Sequence, residues 1–176
     1  MHVLLTRWVM KTDVPVWLVV VLFILLVVVF NAVPAAIGAP YMGSLRGALG
    51  STPSAPPPLA FAIMWPVLYT LLALAAGFLV CYPSSSAGAG VQWTAFGLLM
   101  AQLVLNWFWT PVYATGKSST ANLLIVAMLM LTLPAIALSA TAQPLSAALM
   151  SPYAAWLVFA LVLSAQGQAS SARPVA

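Results

Sequence analysis

The chain alternates long apolar runs with short polar breaks. Five runs reach the length of about 20 residues that an apolar helix needs to cross a bilayer core. The first begins near Val14, where Pro15 suits a first helical turn. It passes through WLVVVLFILLVVVFNAV and continues, kinked at Pro34, towards Tyr41. The others cover 59–80, 91–113, 121–140 and 145–165. Between them lie "GSLRGALGSTPSAPPP" (43–58), "CYPSSSAGAG" (81–90), "ATGKSST" (114–120) and "TAQP" (141–144), all rich in turn formers and read as loops. Short loops make consecutive helices neighbours. No ten-residue alternating pattern suggests a barrel, and an open strand edge cannot survive in lipid. The pattern therefore predicts an all-α integral membrane bundle of five transmembrane helices. It divides into an N-terminal tail (1–13), a membrane domain (14–165) and a C-terminal tail (166–176).

Composition points the same way. Hydrophobic residues are 64% of the 176 and charged residues 3%, against about a quarter charged in a soluble domain. The charges are Arg7, Lys11, Asp13, Arg46, Lys117 and Arg173. They are too few to cover a soluble globule, so the lipid bilayer is the expected surrounding. The net charge of +4 comes from scattered cations near predicted membrane boundaries. That is the usual place for snorkelling Lys and Arg, and it carries no nucleic-acid signal. Cys81 stands alone and reads as a small apolar residue. The first run is too long for the apolar core of a signal peptide and is kept as a membrane helix. Cations on the two expected faces nearly balance, so orientation stays open.

The polar residues inside the runs are patterned. Gln102, Asn106, Trp109 and Tyr113 fall on one narrow stripe of a helix, within "QLVLNWFWTPVY". Buried amides facing lipid are costly, so this stripe faces the bundle. Trp107 and Phe108 point elsewhere. Phe61, Trp65 and Tyr69 share a face of the second run, and Tyr153 and Trp156 a face of the fifth. Two readings are open. These are aromatic-belt and helix-gluing residues, with Tyr113, Tyr153 and Trp93 near enough to span ends for a belt. Or they are the walls of a ligand pocket, in which ligand completes the hydrogen bonds of Gln102 and Asn106. Conventional catalysis has no visible machinery: His2 is the sole histidine, and no carboxylate pair, metal set or nucleophile–base pair appears. A binding protein is expected more than an enzyme.

Three segments carry a resemblance: "PPPLAFAIMWPVLYTLLALAAG" (56–77), "QLVLNWFWTPVY" (102–113) and "SPYAAWLVFALVLS" (151–164). Together the chain resembles the TspO/MBR family of tryptophan-rich sensory and translocator proteins over roughly 30–165. The resemblance implies a five-helix bundle, commonly a homodimer, that binds porphyrins such as haem and protoporphyrin with no covalently bound cofactor. By position, Trp65, Asn106, Trp109 and Trp156 match pocket-lining residues of the family, and Tyr69 and Gln102 sit on the same stripes. Some bacterial members promote light-dependent porphyrin breakdown, and Trp65 and Trp156 match the tryptophans implicated. For a eukaryotic member the resemblance implies the outer mitochondrial membrane. The long first loop would cover the pocket mouth.

The chain departs from the family pattern in places. Asn122 stands where an acidic residue is usual, Ala55 and Ala60 where the first loop has tryptophans, and Ser164 where the fifth helix has asparagine. The basic–aromatic tail used for sterol in animal members is absent from "SAQGQASSARPVA", which argues against cholesterol as a ligand. Three functions follow: a tetrapyrrole-binding or translocating protein, favoured here; a photochemical porphyrin-degrading enzyme; and a membrane scaffold or stress regulator with a vestigial pocket.

Overall fold

The computed structural model describes residues 15–50, 56–82 and 87–171; of 48–50, 58 and 167–171 only the backbone is described. Five of its helices are long and apolar enough to span a membrane. They are α1 (Val16–Gly38), α3 (Pro58–Cys81), α4 (Gly88–Ala114), α5 (Ser118–Ala142) and α6 (Pro144–Ser171). A 3-10 turn (Ala39–Tyr41) and a short helix, α2 (Met42–Gly50), continue from α1. The protein is therefore all-α, and its apolar helices make it a multi-pass integral membrane protein in contact with lipid.

Stretch 43–58, expected as one loop, is corrected over its first part: 43–50 is helical. Its three glycines disfavour a helix. Leu45 outweighs them by burying its side chain, and α2 packs on α4. The rest of that stretch, 51–55, lies outside the described residues, as does the tail expected over 1–13. At the other end α6 runs past 165 to Ser171.

Proline marks both the starts and the interiors of these helices. Pro15 and Pro57 sit at helix N-caps, and Pro58 and Pro144 open α3 and α6, where a missing N–H costs nothing. Each spanning helix also holds one internal proline: Pro34, Pro66, Pro111, Pro134 and Pro152. Glycine serves where φ is positive, at Gly88 (77°), which opens α4, and at Gly116 (79°) in the turn before α5. Gln92 near the start of α4 donates its amide to the carbonyls of Leu79 and Tyr82, closing the C-terminal end of α3.

The helices form a ring in which α1 packs on α3, α3 on α6, α6 on α5, α5 on α4, and α4 back on α1. Helices α3 and α4 touch through Gln92 at one end and Tyr69–Asn106 further along, but α3 packs more extensively on α1 and α6. Small residues line the tight seams: Ala95, Ala121, Ala135, Ser139, Ala142, Ser146 and Ala147 are buried, and short side chains let membrane helices approach closely. Ser146 Oγ crosses a seam to donate to the Ala75 carbonyl at 2.9 Å. Helix α1 differs. Only Phe30 and Gly38 are buried on it, and Val20, Ile24, Leu25 and Val28 are among its large residues that face outward. It docks on α3 through Gly77, where a Cβ would come within 2.8 Å of the Phe23 ring.

Candidate functional site

Trp65, in the second turn of α3, is the hub of an aromatic cluster. Its ring stacks on Tyr69 at 5.5 Å, one turn along the same helix. It also meets Trp109 of α4 at 6.1 Å and, edge-on, Trp156 of α6 at 6.1 Å. Phe61 and Phe159 flank Trp156, and Tyr113 stacks on Trp109 at 5.0 Å. The period of the α-helix explains the convergence. Phe61, Trp65 and Tyr69 share a stripe of α3, Trp109 and Tyr113 a stripe of α4, and Trp156 and Phe159 a stripe of α6.

Behind the rings runs a chain of hydrogen bonds through four helices. Tyr69 Oη on α3 donates to Asn106 Oδ1 on α4 at 2.5 Å. Asn106 Nδ2 donates to Tyr153 Oη on α6 at 2.9 Å. Tyr153 Oη in turn donates to Met128 Sδ on α5 at 3.5 Å. Asn106, Tyr153 and Met128 are buried. The belt reading of Tyr153 is thereby corrected: its hydroxyl is 0% exposed to the surroundings with the rest of its side chain, and it joins helices in the core. The expectation that ligand completes the bonds of Asn106 is corrected too, since protein groups take both ends of its amide.

Gln102 is separate. It is 0% exposed, one turn before Asn106 on α4, and neither Oε1 nor Nε2 has a hydrogen-bond partner. A buried amide in this condition costs about 1–3 kcal/mol. Trp93 is 54% exposed and Phe108 likewise 54%, so both face lipid.

A cavity of about 630 Å³ opens between α1, α2 and α3, with Thr110 of α4 contributing to its lining. Small-molecule sites span about 300–1,000 Å³. Of the six residues singled out from the sequence, Trp65 and Tyr69 line it. Trp109 and Trp156 back Trp65, Asn106 backs Tyr69, and Gln102 lies in the core away from the wall. Pro66 also lines the cavity, beside Ala62. With no N–H, Pro66 cannot donate to the Ala62 carbonyl as an ordinary helical residue would.

The opposite wall was missed by sequence reasoning. Asn31, Pro34, Ala35, Gly38, Met42, Leu45 and Arg46 line it. They recur at offsets of three and four through α1, the 3-10 turn and α2, as one continuous stripe would. That periodicity was present in the sequence. Asn31, the sole polar residue of α1, was its plainest sign. Asn31 Nδ2 donates to the Val27 carbonyl at 2.9 Å and to Thr70 Oγ1 of α3 at 3.3 Å, tying the two walls together. Of the expected lid (43–58), 43–50 is helical, and Leu45, Arg46, Pro56 and Pro57 line the cavity.

Residues 20–168 match the model of the TspO/MBR family. The chain belongs to the TspO/MBR family. It is also similar to the translocator protein of the pig, Sus scrofa, at 32% identity over 113 residues. That match covers 62% of this chain and 64% of the pig protein, so the chain spans somewhat under two thirds of that relative's length. The family match takes in α3 to α5 and nearly all of α1 and α6, and with them both walls of the cavity and the aromatic cluster behind it. Among the family's expected departures, Ser164 is buried with its hydroxyl unpaired, and the Asn122 side-chain oxygen is buried without a partner.

Proposed function

We propose that the protein binds tetrapyrroles such as haem and protoporphyrin, and related flat hydrophobic ligands, in the cavity between α1 and α3, and serves in their translocation across or within the membrane. The observation that carries this reading is Trp65. It forms part of the cavity wall and is held there by Tyr69, Trp109 and Trp156. A large π-system stacks well on an indole whose orientation is fixed in advance, because little side-chain freedom is lost on binding. Membership of the TspO/MBR family and the name of the pig relative, translocator protein, support the same role. Ligand contact is made by Trp65 and Tyr69; Trp109, Trp156 and Asn106 hold them in place.

Titration of tryptophan fluorescence with haem, protoporphyrin and cholesterol tests the reading. Saturable quenching by the tetrapyrroles and none by the sterol is expected, since the basic–aromatic tail is missing. Quenching that never saturates, or equals that of an unrelated five-helix protein, overturns it. A homodimer and, in a eukaryotic cell, the outer mitochondrial membrane belong to the same proposal.

One observation favours a second reading. Trp65 touches both Trp109 and Trp156, so three indoles form a connected set beside the cavity. Such a set suits light-dependent breakdown of a bound porphyrin. Illumination of the complex separates the two: loss of the porphyrin absorption bands at a rate that falls in Trp156→Phe supports degradation, and unchanged bands support binding alone.

A further inference from the structure

The cavity is walled by apolar and aromatic side chains, and Arg46 of α2 is the single charged residue in its lining. Arg46 is solvent- or headgroup-exposed at one end of the stripe that begins at Asn31. The chain has one acidic side chain, Asp13, outside the described residues; no described residue offers Arg46 a carboxylate. The other polar side chains in or behind the lining are neutral: Thr110, Tyr69, Asn31 and Asn106. Asn106 is spent on Tyr69 and Tyr153. Asn31 uses its nitrogen on Val27 and Thr70, which leaves an acceptor, and an acceptor repels an anion. Cationic donors to an anion in this cavity therefore come from Arg46 alone.

We propose that Arg46 makes the cavity selective for ligands that carry a carboxylate at one edge of a flat apolar body, with the guanidinium pairing the carboxylate at the mouth while the body lies along Trp65. This rests on the tetrapyrrole reading and sharpens it. Physical chemistry supplies the asymmetry. A carboxylate taken towards an apolar wall is strongly penalised unless paired and hydrogen-bonded. Arginine offers a planar fork that meets both carboxylate oxygens. At an exposed mouth the pair is screened, so its effect is modest. An acid is therefore favoured over its uncharged ester by about two- to fivefold. The same guanidinium chemistry could be satisfied by a lipid phosphate, and the test separates the two sources.

The test compares protoporphyrin with its dimethyl ester by fluorescence titration of the full chain in phosphatidylcholine nanodiscs. Wild type, Arg46→Gln and Lys117→Gln are measured; Lys117 lies just before α5 and does not line the cavity. The expected result is an acid preference of about two- to fivefold in wild type and Lys117→Gln. In Arg46→Gln the preference falls to near unity while ester affinity is kept, which also shows that the variant is folded. The difference between wild type and Arg46→Gln persists when phosphatidylglycerol is added. Equal binding of acid and ester by wild type, or an unchanged preference in Arg46→Gln, overturns the role of Arg46 and leaves tetrapyrrole binding standing. Disappearance of the difference in phosphatidylglycerol assigns the guanidinium to lipid phosphate and overturns it as well. Absence of saturable binding by both compounds overturns the tetrapyrrole reading together with this one.

Discussion

The two sides of the ring differ in how closely they pack and in what joins their helices. On the α4–α6 side a buried network joins the helices, Asn106 to Tyr69 and Tyr153, Tyr153 to Met128, Ser146 to the Ala75 carbonyl, while Gln102, Ser139 and Ser164 are buried without partners. Small residues close the seams, and the side is a packed core. On the α1–α3 side, α1 buries only Phe30 and Gly38, a cavity separates it from part of α3, and Arg46 and the oxygen of Asn31 are left with capacity. In a membrane, lipid solvates apolar side chains as well as protein does, so cohesion must come from packing and hydrogen bonds. The packed side has both. The cavity side has fewer of each, and there a ligand can compete for surface. A buried amide is thus evidence of binding only after its protein partners have been counted.

That contrast yields four predictions. Asn106→Leu has the largest effect. It removes the bond from Tyr69 and the bond to Tyr153 in the core, so stability falls by about 2–4 kcal/mol, seen as a lower Tm in detergent that added protoporphyrin does not restore. A Tm within error of wild type would break the contrast. Trp65→Ala comes next, on the cavity side. Stacking lost from one aromatic face is worth about 1–3 kcal/mol, so protoporphyrin affinity drops about five- to a hundredfold, while Tm changes less than in Asn106→Leu. A large Tm loss with affinity intact would show Trp65 to be core. Tyr69→Phe sits on the border, lining the cavity and donating to Asn106. It should cost about 1 kcal/mol of stability, measured by Tm, with a smaller change in affinity than Trp65→Ala. Gln102→Leu has the smallest effect. It removes an unpaired buried amide, and stability should stay level or rise slightly. A marked fall in Tm would mean that a partner completes Gln102 in the membrane.

Much of this architecture was legible in the sequence. Five apolar runs gave five spanning helices because an apolar helix in lipid has its backbone bonds satisfied internally whatever its neighbours do. Helical periodicity placed Trp65, Trp109 and Trp156 on faces that do converge. The miss at 43–50 has a clear cause. Glycine-rich "GSLRGALG" has poor intrinsic propensity, and the burial of Leu45 that decides it is a tertiary contact. Asn106 was legible as inward-facing, but not as paired, since Tyr69 and Tyr153 lie 37 and 47 residues away. The α1 wall went unread because a run as apolar as WLVVVLFILLVVVF looks uniform, and its informative end, Asn31 to Arg46, continues through a turn that composition marks as a break.

The internal network described above is made entirely of neutral groups, and none of the five spanning helices carries Asp, Glu, Lys, Arg or His. A transmembrane voltage does work only on charge, about 2.3 kcal/mol per elementary charge per 100 mV. The side chains of the spanning helices therefore give an energised membrane nothing to pull on, and the bundle keeps its packing whether the membrane is polarised or not. Among the described residues, the formal charges are Arg46 and Lys117, both outside those helices.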